Sequence, residues 1–168
     1  MMNRKLDPRA IEKAVREFDS LGSQRWRRPD GHLVIEVSSS ELARKPWLLW
    51  NSFVALLSGV PLEELHPTQR PAWFAYEYDS EVQSGGHAHY FRVRAGAGLD
   101  ETVDALTVIG APTHADILRA AVRVWRDGGI AEEHFSGSDR AFAAAQPRLS
   151  DVLEAYLGAH RGSFVSLR

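Results

Sequence analysis

The sequence predicts a mainly α, single-domain bundle of about seven helices spanning residues 1–168, with room for a short β-hairpin near residues 25–37. Three observations lead there. Apolar residues recur at three- and four-residue intervals along most of the chain. These stretches stop at glycines or Gly/Pro pairs, as helices do. A chain of 168 residues with 44% hydrophobic content can build one sizeable core but hardly two.

The elements follow in order. Asp7 and Pro8 read as N-cap and first residue of a helix carrying Ile11, Val15 and Phe18, stopped by Gly22. Arg25-Trp26-Arg27-Arg28 leads into the turn signal Pro29-Asp30-Gly31, and Leu33–Val37 has strand composition. Ser38 with Glu41 matches a capping box. Pro46 should open a helix whose buried stripe is Trp47, Trp50, Phe53/Val54 and Leu57, stopped at Gly59-Val60-Pro61. Thr68 is the expected N-cap of a helix through Ser84, with Pro71 tolerated in its first turn. Gly85-Gly86 should end that helix, and another should leave at His87 with Tyr90 and Phe91. Leu99, Val103, Leu106 and Ile109 define the next. Thr113 and Asp116 suggest a capping box for a helix with Ile117, Ala121, Val124 and Trp125, closed by Gly128-Gly129. A short helix over Asp139–Gln146 and a last one capped by Ser150, with Val152, Leu153, Tyr156 and Leu157 inward, complete the set.

Composition narrows the function classes. The absence of cysteine excludes disulfides and thiolate metal sites and agrees with a cytoplasmic location. Met1–Lys13 is charged and lacks an apolar run, which predicts no signal peptide. The most apolar stretch, Trp47–Leu57, is too short for a membrane span. Charge is uneven: residues 1–59 hold ten Lys/Arg against seven Asp/Glu, whereas residues 60–160 hold eight against fifteen. An acidic body with basic ends suits a basic partner, or ends that fold back on the body.

The segment Glu81-Val82-Gln83-Ser84-Gly85-Gly86-His87-Ala88-His89-Tyr90-Phe91 resembles the signature of the bacterial DNA-mimic protein family, in which an acidic residue precedes an Asn-Gly-Gly-aromatic element and a Gln-Tyr-Phe element. Glu101–Leu106 followed by Ile109-Gly110-Ala111 resembles that family's next helix and break. The resemblance covers residues 68–160 and leaves residues 1–60 as a family-variable N-terminal part. Ser84 stands where the family favours Asn, His87 replaces the aromatic residue and His89 replaces Gln. The resemblance implies a protein that imitates DNA by presenting carboxylates where phosphates would be, and so occupies a DNA-binding protein. From physics alone, Gly85 and Gly86 let one helix stop and another leave at a sharp angle, with Tyr90 and Phe91 burying large rings in the crook.

Carboxylates four residues apart on a helix sit about 6 Å apart along its axis, close enough to imitate one phosphate strand. Glu77 and Glu81 have that spacing, and Asp100, Glu101 and Asp104 crowd the start of the following helix. Trp73 lies one turn before Glu77, where an exposed ring would anchor an interface. The protein-interaction candidates are therefore Trp73, Glu77, Glu81, Asp100, Glu101 and Asp104. Against them stand the helix macrodipole, which alone favours acids at Asp100 and Glu101, and Arg92 and Arg94, which can pair with Glu77 or Glu81.

The expectation is a non-catalytic, macromolecule-binding protein using an acidic helical surface. Its partner would be a DNA-binding protein or, in an immunity or antitoxin role, a basic enzyme. A homodimer is left open. A rival from another class is a metal-dependent hydrolase built on His87, His89 and nearby carboxylates. In a helix those histidines point about 200° apart, and a usable zinc site needs three or four convergent ligands, so no metal or cofactor is expected. There is no nucleophile elbow and no phosphate loop. Arg25-Trp26-Arg27-Arg28 is one short basic cluster, too little to predict direct nucleic-acid binding.

Overall fold

The computed structural model of the chain describes residues 24–28 and 31–168. The helix expected from Asp7 and the turn residues Pro29 and Asp30 lie outside the described residues. The fold is mainly α, with seven α-helices among the described residues and one small sheet. The described residues divide into two compact units: those up to Gly59 with Gly162–Arg168, and Val60–Arg161.

The first unit is built on a three-stranded sheet. Strands β1 (Gln24–Arg27) and β2 (Leu33–Val37) form the expected antiparallel hairpin, with Gln24 opposite Glu36 and Arg27 opposite Leu33. A third strand, β3 (Val165–Leu167), pairs parallel to β2, with Ile35 beside Val165. Helix α1 (Ser39–Arg44) and helix α2 (Leu48–Gly59) follow β2. Val34, Ile35 and Val37 bury their side chains together with Phe53, Leu56 and Leu57, and Phe53 meets Phe164 edge-on at 4.9 Å. Ser38 does occupy the N-cap of α1, but its hydroxyl pairs with that of Ser40, and Glu41 pairs with Arg44 instead of closing a capping box. Trp47 was expected in the buried stripe of α2 and is 43% exposed. The helix starts one residue later, so Leu48, Phe53, Leu56 and Leu57 form the stripe, and Trp47 sits ahead of the first turn beside Lys45.

The second unit carries the remaining helices. A short 3-10 turn at Leu62–Glu64 precedes α3 (Arg70–Arg94), which is followed by α4 (Leu99–Val108), α5 (Pro112–Gly128), α6 (Ser136–Ala144) and α7 (Leu149–Ala159). Helix α3 is the spine, packing on α4, α6 and α7. It begins after Gln69, not Thr68. Gln69 is fully buried and its side-chain oxygen accepts the His66 N–H at 2.9 Å, which fixes the entry. The starts of α5 and α7 also differ from the capping expectations. Pro112 opens α5 without a side-chain cap, and Asp116 pairs with Arg119 at 2.7 Å. Arg148 precedes α7, and the Asp151 carboxylate reaches back to its N–H at 3.3 Å. Local side-chain bonds decide helix ends at the level of one or two residues, and several patterns compete there.

The core of this unit is aromatic. Tyr78, Tyr90, Phe91 and Phe135 are almost wholly buried. Tyr78 and Tyr90 meet edge-on at 5.1 Å, and Phe91 stacks on Trp125 at 5.3 Å with the rings 2° from parallel. Rings of this size each remove well over 100 Å² from water, so this cluster is the main apolar anchor of the unit. No helix among the described residues is long and apolar enough to cross a membrane.

Candidate interaction surface

Helix α3 breaks where the sequence placed a break. Gly85 and Gly86 leave helical geometry, and Gly86 has φ +72 and ψ −175, a conformation that side-chain-bearing residues essentially never adopt. A Cβ at Gly86 would also lie 2.8 Å from an Asp139 carboxylate oxygen. That carboxylate comes from α6, 52 residues along the chain. Its Oδ1 accepts the backbone N–H of His87 at 2.9 Å and sits 2.6 Å from His87 Nδ1. On the far side of the ring, His87 Nε2 lies 2.8 Å from the Tyr78 hydroxyl. The arrangement is self-consistent for a neutral imidazole: Nδ1–H donates to Asp139 and Nε2 accepts from Tyr78. Burial lowers the His87 pKa below its ordinary value, and the bond to Asp139 partly offsets this. Burial likewise drives Tyr78 well above the usual phenol range. Asp139 therefore caps the second half of α3 from another helix, where the freed N–H groups and the helix dipole favour an anion.

Gly85 and Gly86 lie at the break of α3, and Tyr90 and Phe91 are buried just beyond it. Gly85 is required for space as well, since a Cβ there would meet the His89 Cβ at 2.8 Å. His87 and His89 diverge. His87 faces Tyr78 and Asp139, while His89 Nε2 pairs with the Glu81 carboxylate at 2.7 Å. No group of three or more His, Asp or Glu side chains converges as a metal site among the described residues.

The proposed interaction residues fall into two sets. Trp73, Glu77 and Glu81 lie on the first half of α3 and are partly buried. The Arg94 guanidinium sits 4.9 Å from the Trp73 ring centre and 2.9 Å from Glu77 Oε2, so one cation covers the indole face and neutralises the acid. Burial raises the Glu77 pKa, Arg94 pulls it down and Glu81 pushes it up. Glu81 is occupied by His89. The structure does not bring these three into one free anionic patch with α4.

Asp100, Glu101 and Asp104 behave differently. They project from the start of α4, whose opposite face buries Leu99, Thr102, Val103, Ala105 and Leu106. All three are exposed, and none forms an ion pair or side-chain hydrogen bond among the described residues. Asp100 and Asp104 are one turn apart, about 6 Å along the axis. The face continues to Thr107 and to Val108, which is 63% exposed.

Sequence reasoning missed Asp139, Tyr78 and Asp79. The sequence puts Asp139 at the start of a short helix, and no local pattern links it to His87. Asp79 is 9% exposed, and its carboxylate accepts the Gln83 amide at 2.8 Å; burial raises its pKa. No curated protein and no solved structure matches the chain. The model of the DMP19-like protein family matches residues 63–161, nearly the whole of the second unit. With more than half of its length matched, and with the glycine-kinked, Tyr-Phe-bearing helix at the centre of the match, the chain belongs to the DMP19-like family of DNA-mimic proteins.

Proposed function

We propose that the protein is a non-catalytic binder that offers the outer face of α4 to a basic, DNA-binding protein. One observation carries this: Asp100, Glu101 and Asp104 form a short anionic row that is exposed and, among the described residues, unpaired, on a helix anchored by its other face. Carboxylates that no neighbouring cation pairs keep their field for an incoming one. Their spacing suits lysine or arginine side chains that otherwise grip successive phosphates. Family membership supports the same reading. The hydrolase alternative gains no support, because both ring nitrogens of His87 are already engaged and His89 is held by Glu81.

The test uses the whole chain as bait in extract of the native host, with release by a salt step. A recovered protein is then bound to duplex DNA and challenged with wild type or with the Asp100→Asn, Glu101→Gln, Asp104→Asn triple variant. Displacement by wild type, weakened at least tenfold in the triple variant, is the expected result. Recovery that is indifferent to all three substitutions would remove α4 from the interface. A basic partner that binds no DNA would favour the immunity-type role.

A further inference from the structure

We infer that a cavity between the first half of α3, α6 and the start of α7 is a binding site for a guanidinium or alkylammonium head carried on an apolar stem. The cavity has a volume of about 400 Å³, within the size range of small-ligand sites. Asp79 is part of its wall. Only 9% of this residue is exposed, one oxygen accepts the Gln83 amide at 2.8 Å, and among the described residues no other donor and no cation reaches it. A buried carboxylate without a counter-charge is costly, and the neighbouring inward positions on α3, Ala75, Tyr78 and Val82, are filled by residues of largely apolar bulk. Asp139 forms another part of the wall. Its Oδ1 is spent on His87, while Oδ2 has no donor among the described residues.

Two helices thus each present a carboxylate oxygen without a partner among the described residues. Phe142 and Leu149 line the same space, where a hydrocarbon stem would pack, and Ser150 adds a hydroxyl. Arg148, also on the wall, is held by Asp151 at 3.3 Å and so does not supply the missing charge. A bare divalent ion fits poorly, because it wants six or more oxygens and these walls are half apolar. An organic cation uses both features. This site shares no residue with the acidic face of α4, so the two proposals stand or fall separately.

The experiment titrates the isotope-labelled full chain with three probes: N-acetylarginine amide, agmatine and the neutral isostere N-acetylcitrulline amide. The amide signals of Gly86 and Ser150 are followed by NMR. Saturable shifts with either guanidinium probe are expected, with the citrulline probe at least tenfold weaker. Tighter binding of the blocked arginine identifies a partner protein's side chain as the source of the cation. Tighter binding of agmatine identifies a free small amine; either preference supports the site. Asp79→Asn should weaken binding at least tenfold and, since it removes a buried charge, should fold. Ser150→Leu fills the cavity with both acids intact and should have the same effect. The triple α4 variant should bind as wild type. No saturable shift, equal response to citrulline, or unchanged binding in both cavity variants would overturn the inference.

Discussion

The kink of α3 and the first turns of α4 are both rich in carboxylates, and they spend them in opposite ways. At the kink, Asp139 holds a backbone N–H and an imidazole, and Glu81 holds His89. Near the end of α3, Arg94 holds Glu77. On α4, Asp100, Glu101 and Asp104 hold nothing among the described residues. Both regions look equally acidic along the chain. An acid that already serves the fold is discharged and pinned, whereas an acid without a partner leaves its field in solvent. The number of carboxylates is therefore a poor guide to a recognition surface, and their partners are a good one.

The sharpest way to break the contrast is to disturb the kink. Gly86→Ala places a side chain at φ +72 and ψ −175 and drives its Cβ against Asp139. Strain of about 1–3 kcal/mol for that backbone, with loss of the Asp139 contacts, should cost about 2–4 kcal/mol. Urea unfolding at neutral pH measures it. A cost under 1 kcal/mol would mean that the glycine geometry and the Asp139 contacts do little to hold the kink. A smaller loss is expected for Asp139→Asn, about 1–2 kcal/mol, because the amide keeps an acceptor oxygen but gives up the charge, and the carboxylate is partly solvated.

His114 sharpens the comparison from the other side, as a buried polar group with no service to perform. It is 2% exposed, its Nε2 has no hydrogen-bond partner among the described residues, and it packs edge-on against Phe142 at 5.5 Å. Burial alone lowers its pKa. A histidine whose folded pKa lies below the unfolded value binds fewer protons when folded. Its contribution is fully present above the unfolded value, near 6.5, and is lost as pH falls through the folded value. His87 has the same sign. Glu77 and Asp79, with raised folded values, act in the opposite sense, so the useful measurement is a difference between variants. His114→Leu should be neutral to about 1 kcal/mol stabilising at pH 7.5, since it removes an orphaned nitrogen. Its advantage over wild type should grow as pH falls to 5.5, read from paired urea curves. A constant difference across that range would show that His114 titrates normally.

What could be read from the chain follows the same division between local and distant. The helices of the second unit were legible because apolar spacing and terminal glycines are local signals, and so was the β1–β2 hairpin, marked by Pro29-Asp30-Gly31 beside a β-branched run. Strand β3 was not, because Val165-Ser166-Leu167 is too short to alternate and its partner, β2, lies far back along the chain. Trp47 was misplaced because a tryptophan one residue before a helix fits the apolar spacing as well as one inside it. The Arg94–Glu77 pair was foreseeable as one of several options, since Arg92 and Arg94 stand near both acids; Arg92 in fact reaches towards Glu132 at 3.8 Å. The Asp139–His87 bond was invisible, and it decides what the kink is.

The smallest expected effect on stability is the most telling for function. In α4, Asp100 and Glu101 occupy the first turn, where the helix dipole favours each by about 0.3–1 kcal/mol. Asp100 and Asp104 repel each other across one turn by a few tenths of a kcal/mol, and the unit around them is already acidic. These terms oppose, so the Asp100→Asn, Glu101→Gln, Asp104→Asn variant should unfold within about 1 kcal/mol of wild type. Glu77→Gln, a single change, should cost a comparable amount because it leaves Arg94 half-buried beside Trp73 without its carboxylate. Partner capture separates the two: it should fail for the α4 variant and survive Glu77→Gln. The reverse pattern, with capture lost through Glu77 and kept without the α4 acids, would mean that the pinned carboxylates, not the free ones, are what a partner reads.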